Sequence, residues 1–236
     1  MSGGVFLMPL TSRPGNKHLP KNISIIYEDG DILVVEKPSG LLTIGTDRDK
    51  SRTLYSILTD YVRKGYSRSA KRIFIVHRLD RDTSGILVFA KSMEAKQRLQ
   101  EGWDKTEKKY LAVVHGRCEI NERTITSYLA ENKAHVSYST TDPEKGKLSH
   151  TSYRVLKDTK FFSLLEVNLL TGRKHQIRVH LAEIGHPVAG DDKYGGKNDR
   201  YKRLALHAKS LSFRHPFSGK QLAFETQIPD FFNTLV

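Results

Sequence analysis

His77-Arg78-Leu79-Asp80-Arg81-Asp82-Thr83-Ser84-Gly85 joins two apolar runs, Ile73-Phe74-Ile75-Val76 before it and Ile86-Leu87-Val88-Phe89-Ala90 after it. Both runs are short and rich in β-branched and aromatic residues, so they read as buried strands. The connection carries one His, two Arg, two Asp, a Thr and a Ser within nine residues. A connection that only had to turn would be built from Asn-Gly or Asp-Gly. Charged side chains held between core strands are costly to desolvate unless they are paired. Two readings stand at this point: a salt-bridged link that pins two strands, or a rigidly mounted site in which an Asp is held among cations.

The chain has 236 residues, 38% hydrophobic and 28% charged, which is the balance of a folded globular protein rather than a disordered one. No stretch approaches the 18 or so apolar residues that a membrane span needs, and the apolar start lacks the charged leader of a signal peptide. The single cysteine, Cys118, excludes an internal disulfide framework and a Cys-rich metal site, and points to a reducing, cytoplasmic setting. Lys and Arg number 39 against 26 acids, a net charge of +13. That excess favours a polyanionic partner, nucleic acid ahead of membrane because no basic amphipathic anchor helix is evident.

Residues 1–20 carry Gly, Pro, Ser and Lys without periodicity and read as a flexible basic tail ahead of a single domain over 21–236. Ile23–Tyr27 and Ile32–Val35 are predicted strands around the Asp29-Gly30 turn. Lys37-Pro38-Ser39-Gly40 is a turn that delivers Lys37 at a strand end. Leu54, Ile57, Leu58, Tyr61 and Val62 share one face of a helix expected to stop at Gly65. The cations Arg63, Lys64, Arg68, Lys71 and Arg72 follow, either as a solvated face or as phosphate contacts. A helix over 93–103 capped by Ser92 comes next, then a strand, Lys108–Val114, in which Tyr110 reads as a core aromatic.

Short β-rich runs alternate with polar turns over 124–169, with a loop at 142–147 and a strand over 161–170. The second dense stretch is Thr171-Gly172-Arg173-Lys174-His175-Gln176-Ile177-Arg178-Val179-His180. Ile177, Leu181 and Ile184 fit a helix face, with Thr171 as its cap and Gly185 as its stop. Arg173, Lys174 and His175 in a first turn would oppose the helix dipole, an arrangement that suits a bound anion. His175 and Arg178 would then approach the same partner. Downstream, Leu204–Ala208 and Leu211–Phe213 read as a strand with one break, His215–Gly219 as a turn and Leu222–Thr226 as a last strand. His175 and His180 are badly spaced for one metal, and no metal, Gly-Lys-Ser/Thr, Gly-x-Gly-x-x-Gly or Gly-x-Ser-x-Gly motif is present.

Taken in order, several stretches resemble the RluA family of RNA pseudouridine synthases across residues 23–229. They are Lys37-Pro38-Ser39-Gly40, the His77–Gly85 run, Lys109-Tyr110, Gly172–His180, Gly185-His186-Pro187 through Gly190-Asp191, and Leu206-His207-Ala208 through His215-Pro216. The resemblance implies an α+β fold whose mixed, largely antiparallel central sheet carries helices and loops around a basic RNA-binding cleft. With only about 20 residues before the first strand, it resembles members that lack a separate N-terminal RNA-binding domain.

The implied reaction isomerises a uridine in structured RNA, ribosomal or transfer, to pseudouridine, without cofactor or metal. By the same resemblance Asp80 is the essential carboxylate, Arg178 its charge partner, and Tyr110 the ring that stacks on the target base. The last role reverses the bland reading of Tyr110. Arg78 matches a residue that fills the gap left by a flipped base; Lys37, Arg173, His175, Gln176 and His207 are expected at the RNA-binding surface. The protein is expected to be a monomer with no obligate protein partner. A non-catalytic RNA-binding protein on the same scaffold is the competing class.

Overall fold

The structure is a computed structural model that describes residues 6–7, 19–20, 22–45, 53–64, 66, 68–196 and 199–236. Along the chain run β1 (Phe6–Leu7), β2 (Ser24–Glu28), β3 (Ile32–Lys37), α1 (Leu54–Arg63), β4 (Phe74–Ile75), β5 (Ser84–Ala90) and α2 (Met93–Glu101). A 3-10 turn, Trp103–Lys105, leads to β6 (Glu107–His115), β7 (Glu122–Glu131), β8 (Ser137–Thr140), β9 (Lys147–Asp158) and β10 (Phe162–Leu169). Then follow α3 (Gln176–Glu183), β11 (Leu206–Arg214), β12 (Gln221–Glu225) and α4 (Asp230–Asn233). The chain forms two compact units: Met1–Thr106 with Ser210–Thr226, and Glu107–Lys209 with Gln227–Val236. The single domain over 21–236 was expected without that division.

In the first unit β5 is buried along all seven residues and apolar from Ile86 to Ala90. It pairs antiparallel with β3, from Ile32 opposite Ala90 to Lys37 opposite Gly85, and β3 pairs antiparallel with β2. Ile26, Ile32, Val34, Ile86, Val88, Leu211, Phe213, Leu222 and Phe224 share a core with Ala95 and Leu99 of α2. Ser92 caps α2, accepting from the Ala95 amide, as expected. The strand predicted over 73–76 is confined to Phe74–Ile75, and β11 runs unbroken where a break was expected. Phe6–Leu7 lies parallel to Leu222–Ala223, so the expected tail contains one short strand. Helix α1 closes at Lys64, which takes the left-handed conformation (φ 52°) and donates to the Asp60 and Tyr61 carbonyls. Gly65, the expected stop, lies outside the described residues.

The second unit holds antiparallel strands in the order β6-β10-β9-β7-β8. Period-2 burial in β9, with Ser149, Thr151 and Tyr153 inside, leaves the other face to solvent. Helix α3 covers the inner face. Its His180, with no exposed surface, bridges Thr151 Oγ1 on β9 (2.9 Å) and Ser127 Oγ on β7 (3.1 Å). Apart from β1 against β12, the strand pairs named here are antiparallel, so the fold is the expected mixed, largely antiparallel α+β type.

Candidate active site

Asp80 stands half-buried on the 77–83 loop, between the exposed Arg78 and Arg81. The loop's backbone is gripped by the turn that follows β3. Thr43 Oγ1 donates to the Leu79 carbonyl (2.8 Å) and accepts from the Leu79 amide. The Arg81 carbonyl accepts from Lys37 Nζ (2.8 Å) and from the Gly40 amide (3.0 Å), and the Asp82 carbonyl accepts from Ser39 Oγ (2.7 Å). Buried Leu79 and Thr83 anchor the two ends. His77 accepts from the Val88 amide through Nε2 and packs its ring on Trp103. The carbonyls on both sides of Asp80 are therefore fixed, and the carboxylate has little backbone freedom.

Lys37 is the centre of that grip. It is fully buried, and its ammonium donates to the Pro38, Leu41 and Arg81 carbonyls at 2.8–2.9 Å. Burial pushes its pKa down to about 7, against the opposing pull of the Asp82 and Asp80 charges. The expectation that Lys37 contacts RNA is corrected: an ammonium with no exposed surface and three carbonyl acceptors organises the loop instead.

In the second unit, Arg178 on α3 is buried and forms a two-pronged pair with Asp191, Nε to Oδ2 at 2.8 Å and Nη2 to Oδ1 at 2.7 Å. Burial raises the Asp191 pKa, but the Arg178 guanidinium and the Tyr194 and Lys193 amides outweigh it and hold the carboxyl below the usual range. The guanidinium also lies over the Tyr194 ring, 5.1 Å from its centroid, and His175 Nδ1 meets the Tyr194 hydroxyl at 2.8 Å. His175 and Arg178 thus both contact Tyr194, although His175 lies ahead of the helix whose face the spacing argument assumed. Tyr110 lies on β6 opposite Val167, nearly buried on the face that α3 covers.

Other expectations change as well. Helix α3 begins at Gln176 with His175 as a left-handed cap (φ 56°), so Arg173, Lys174 and His175 precede the helix rather than form its first turn. Thr171 does not cap it; its hydroxyl accepts from the His150 amide and donates to Gln176 Oε1. The anion argument built on that first turn therefore lapses. Gln176 is buried with every polar position used, Oε1 by Thr171 and the Arg173 amide, Nε2 by the His150 carbonyl and Thr151 Oγ1. It clamps the segment and presents nothing to RNA.

His207 is likewise fully buried, edge-on to Phe232, and burial pushes it down to about 4, helped by Lys209 and Arg203. It too is removed from the RNA-contact set. Arg78 and Arg173 remain exposed.

Sequence reading passed over Thr43 and quoted Ser39 and Asp191 only within longer stretches, without a role; the targets of Thr43 and Ser39 lie 36 and 43 residues away. The Gly190 before Asp191 was the available signal. Gly190 has φ +75°, and a Cβ there would sit 2.0 Å from the Arg203 carbonyl oxygen.

Among the described residues one His/Asp cluster has metal-like spacing, Asp29, Asp31 and His215. His215 Nδ1 accepts from the Phe217 and Ser218 amides, so Nε2 carries the proton and donates to Asp29 (3.0 Å). With no lone pair left on that ring, the cluster is a hydrogen-bonded junction of two turns.

Residues 31–183 match the sequence profile of RNA pseudouridylate synthases. The YlyB protein of Bacillus subtilis, described as an uncharacterised RNA pseudouridine synthase, is 39% identical over 215 residues, covering 89% of this chain and 71% of that one. The ribosomal large subunit pseudouridine synthase D of Nitrosomonas europaea is 36% identical over 221 residues, covering 88% of this chain and 62% of that one. Among solved structures, human RNA pseudouridylate synthase domain containing 1 superposes with a TM-score of 0.72 at 29% identity, over 95% of this chain and 89% of that one. Human domain containing 4 superposes at 0.75 with 24% identity, over 89% and 90%, and shares the fold.

Proposed function

The chain belongs to the RNA pseudouridine synthase family, isomerases of uridine in RNA, and on that premise we propose that Asp80 is the residue through which it acts on a base-flipped uridine. The observation that carries this reading is the mounting of Asp80, a half-buried carboxylate whose flanking carbonyls are each held by the Lys37–Thr43 segment. A carboxylate so fixed can act as nucleophile or base with little reorganisation at the reacting sugar.

In the reaction the N1–C1′ bond of the uridine breaks, the uracil turns, and a C5–C1′ bond forms. The C5 proton then leaves to solvent and N1, freed from the sugar, takes up one proton, so the product is an isomer of the substrate. Atoms and charge balance without oxidant, metal or group donor, so no cofactor is required. Arg178 is the proposed charge partner of Asp80, favouring its ionised form, and Tyr110 the ring against the uracil. Exposed Arg78 is the proposed wedge that takes the place of the extruded base.

Ribosomal RNA is the first candidate substrate, supported by the relative named for the large ribosomal subunit, with transfer RNA second. The protein is proposed to act in the cytoplasm as a monomer without an obligate protein partner. No helix of the described residues is long and apolar enough to cross a membrane.

The test is tritium release from RNA labelled at uridine C5. Asp80→Asn is expected to bind RNA as the wild type does and to release no tritium. Release at the wild-type rate would remove Asp80 from the reaction. A wild-type protein that binds RNA lacking pseudouridine but never releases tritium would favour the non-catalytic binding class.

A further inference from the structure

Residues 63–72 hold five cations, Arg63, Lys64, Arg68, Lys71 and Arg72, and no acid; the nearest in sequence is Asp60. Several of its described residues are tied together. Arg63 Nε donates to the Lys71 carbonyl (3.0 Å), the Tyr66 amide to the Arg63 carbonyl, and the Ser69 amide to the Tyr66 carbonyl. Arg72 lies over the Phe74 ring, 4.9 Å from its centroid. Arg63 and Arg72 therefore hold the segment at its two ends, and Lys64, Arg68 and Lys71 point their charge to solvent. Among them Tyr66 is 73% exposed. Concentrated like charge repels itself, and an exposed aromatic among cations matches the way single-stranded nucleic acid is held, by phosphate contacts and base stacking.

Two rulers place this surface relative to Asp80. The α1 N-terminus is tied to the catalytic loop, because the Leu54 and Tyr55 amides donate to the Leu42 and Thr43 carbonyls and Thr43 holds Leu79. Ten helical residues then carry the chain about 15 Å to Lys64. Independently, Asp80 lies just before Ser84 at the start of β5, whereas Phe74 pairs with Ala90 at its end, about 20 Å along the strand.

We propose that Lys64, Tyr66, Arg68 and Lys71 form a second RNA-contacting surface, which grips the substrate's backbone and an unpaired base about 15–20 Å from Asp80. The proposal rests on the RNA-modifying reading above. At roughly 3.4 Å per phosphate along a stacked strand, that distance is about four to six nucleotides. The surface supplies affinity and register, while the reacting uridine is held elsewhere.

The experiment compares wild type with Arg68→Glu/Lys71→Glu, after confirming equal thermal melting, on protein-free ribosomal RNA cut into pools of 2–3 and 20–30 nucleotides. On the long pool the double variant is expected to bind on the order of tenfold more weakly, and its log Kd against log salt slope to flatten by about 1.4–1.8. On the short pool the two proteins are expected to bind alike. Tritium release at saturating long RNA is expected to stay within about twofold, so the loss falls on KM. Tyr66→Ala is expected to weaken long-pool binding without changing the salt slope. Equal affinity and slope for the double variant would overturn the proposal, and so would an equal loss on both pools. If the wild type releases no tritium, the proposed reaction fails, yet the binding comparison still decides this surface.

Discussion

Lys37 Nζ donates to the carbonyl of Arg81 at 2.8 Å, one residue beyond Asp80, from a position with no exposed surface. A buried cation is here a backbone clamp: one ammonium joins the Pro38 and Leu41 carbonyls to the loop that carries the carboxylate.

Replacing Lys37 with Met keeps the stem and removes the three N–H donors. Buried acceptors left unpaired cost about 1–3 kcal/mol, so the urea midpoint falls. A loop shifted by even an ångström loses about 100-fold in rate, so kcat is expected to drop by tenfold or more with RNA affinity nearly unchanged. Steady-state kinetics on labelled RNA checks this; wild-type kcat in a folded Lys37→Met protein would refute the clamp.

Asp191 holds Arg178 in place through two hydrogen bonds. Asp191→Ala removes the partner of a buried guanidinium and is expected to cost about 3–5 kcal/mol. A double-mutant cycle with Arg178→Lys, read by urea unfolding, is expected to show a coupling above about 1 kcal/mol. Additive effects would mean that the contact carries no coupling energy.

Gly190→Ala places a Cβ 2.0 Å from the Arg203 carbonyl in a left-handed backbone. Strain of about 1–3 kcal/mol for the conformation adds to the clash, so a loss above about 3 kcal/mol is expected in chemical denaturation. A near-neutral result would show that the turn can open freely.

His180 and His207 are fully buried, and burial first pushes each down to about 4, below the ordinary 6.5. Between pH 6.5 and 4 the unfolded chain binds protons that the folded chain refuses. Stability present above pH 6.5 is therefore lost as pH falls through the folded value, by up to about 1.4 kcal/mol per pH unit for each histidine. Urea midpoints across that range are expected to fall, and His180→Gln to make the decline shallower. Identical slopes for the two proteins would contradict a buried, neutral His180.

Much of the architecture was legible because it rests on local pattern. The apolar run after His77–Gly85, the Asp29-Gly30 turn, the amphipathic α1 and the Ser92 cap were read from neighbours one to four residues apart, and they fold as read; the run before His77–Gly85 is a strand only over Phe74–Ile75. The start of α3 was misread for the same reason. Thr171 has the chemistry of a cap, but its hydroxyl is taken by His150, 21 residues away, and by Gln176. The helix consequently begins five residues after it, and the cations expected in its first turn lie ahead of it.

The sequence alone determined the family, and with it the carboxylate to test, because Asp80 sits in a motif dense enough to be specific. It could not determine which polar residues near that motif face solvent. Lys37, Gln176 and His207 have the composition of RNA ligands, yet only tertiary structure decided that each is buried. Hydrogen-bond partners 25–44 residues distant repay the cost of removing Lys37 and Gln176 from water, and His207 packs edge-on to the Phe232 ring. Burial is a property of the assembled fold, and no window of neighbouring residues contains it.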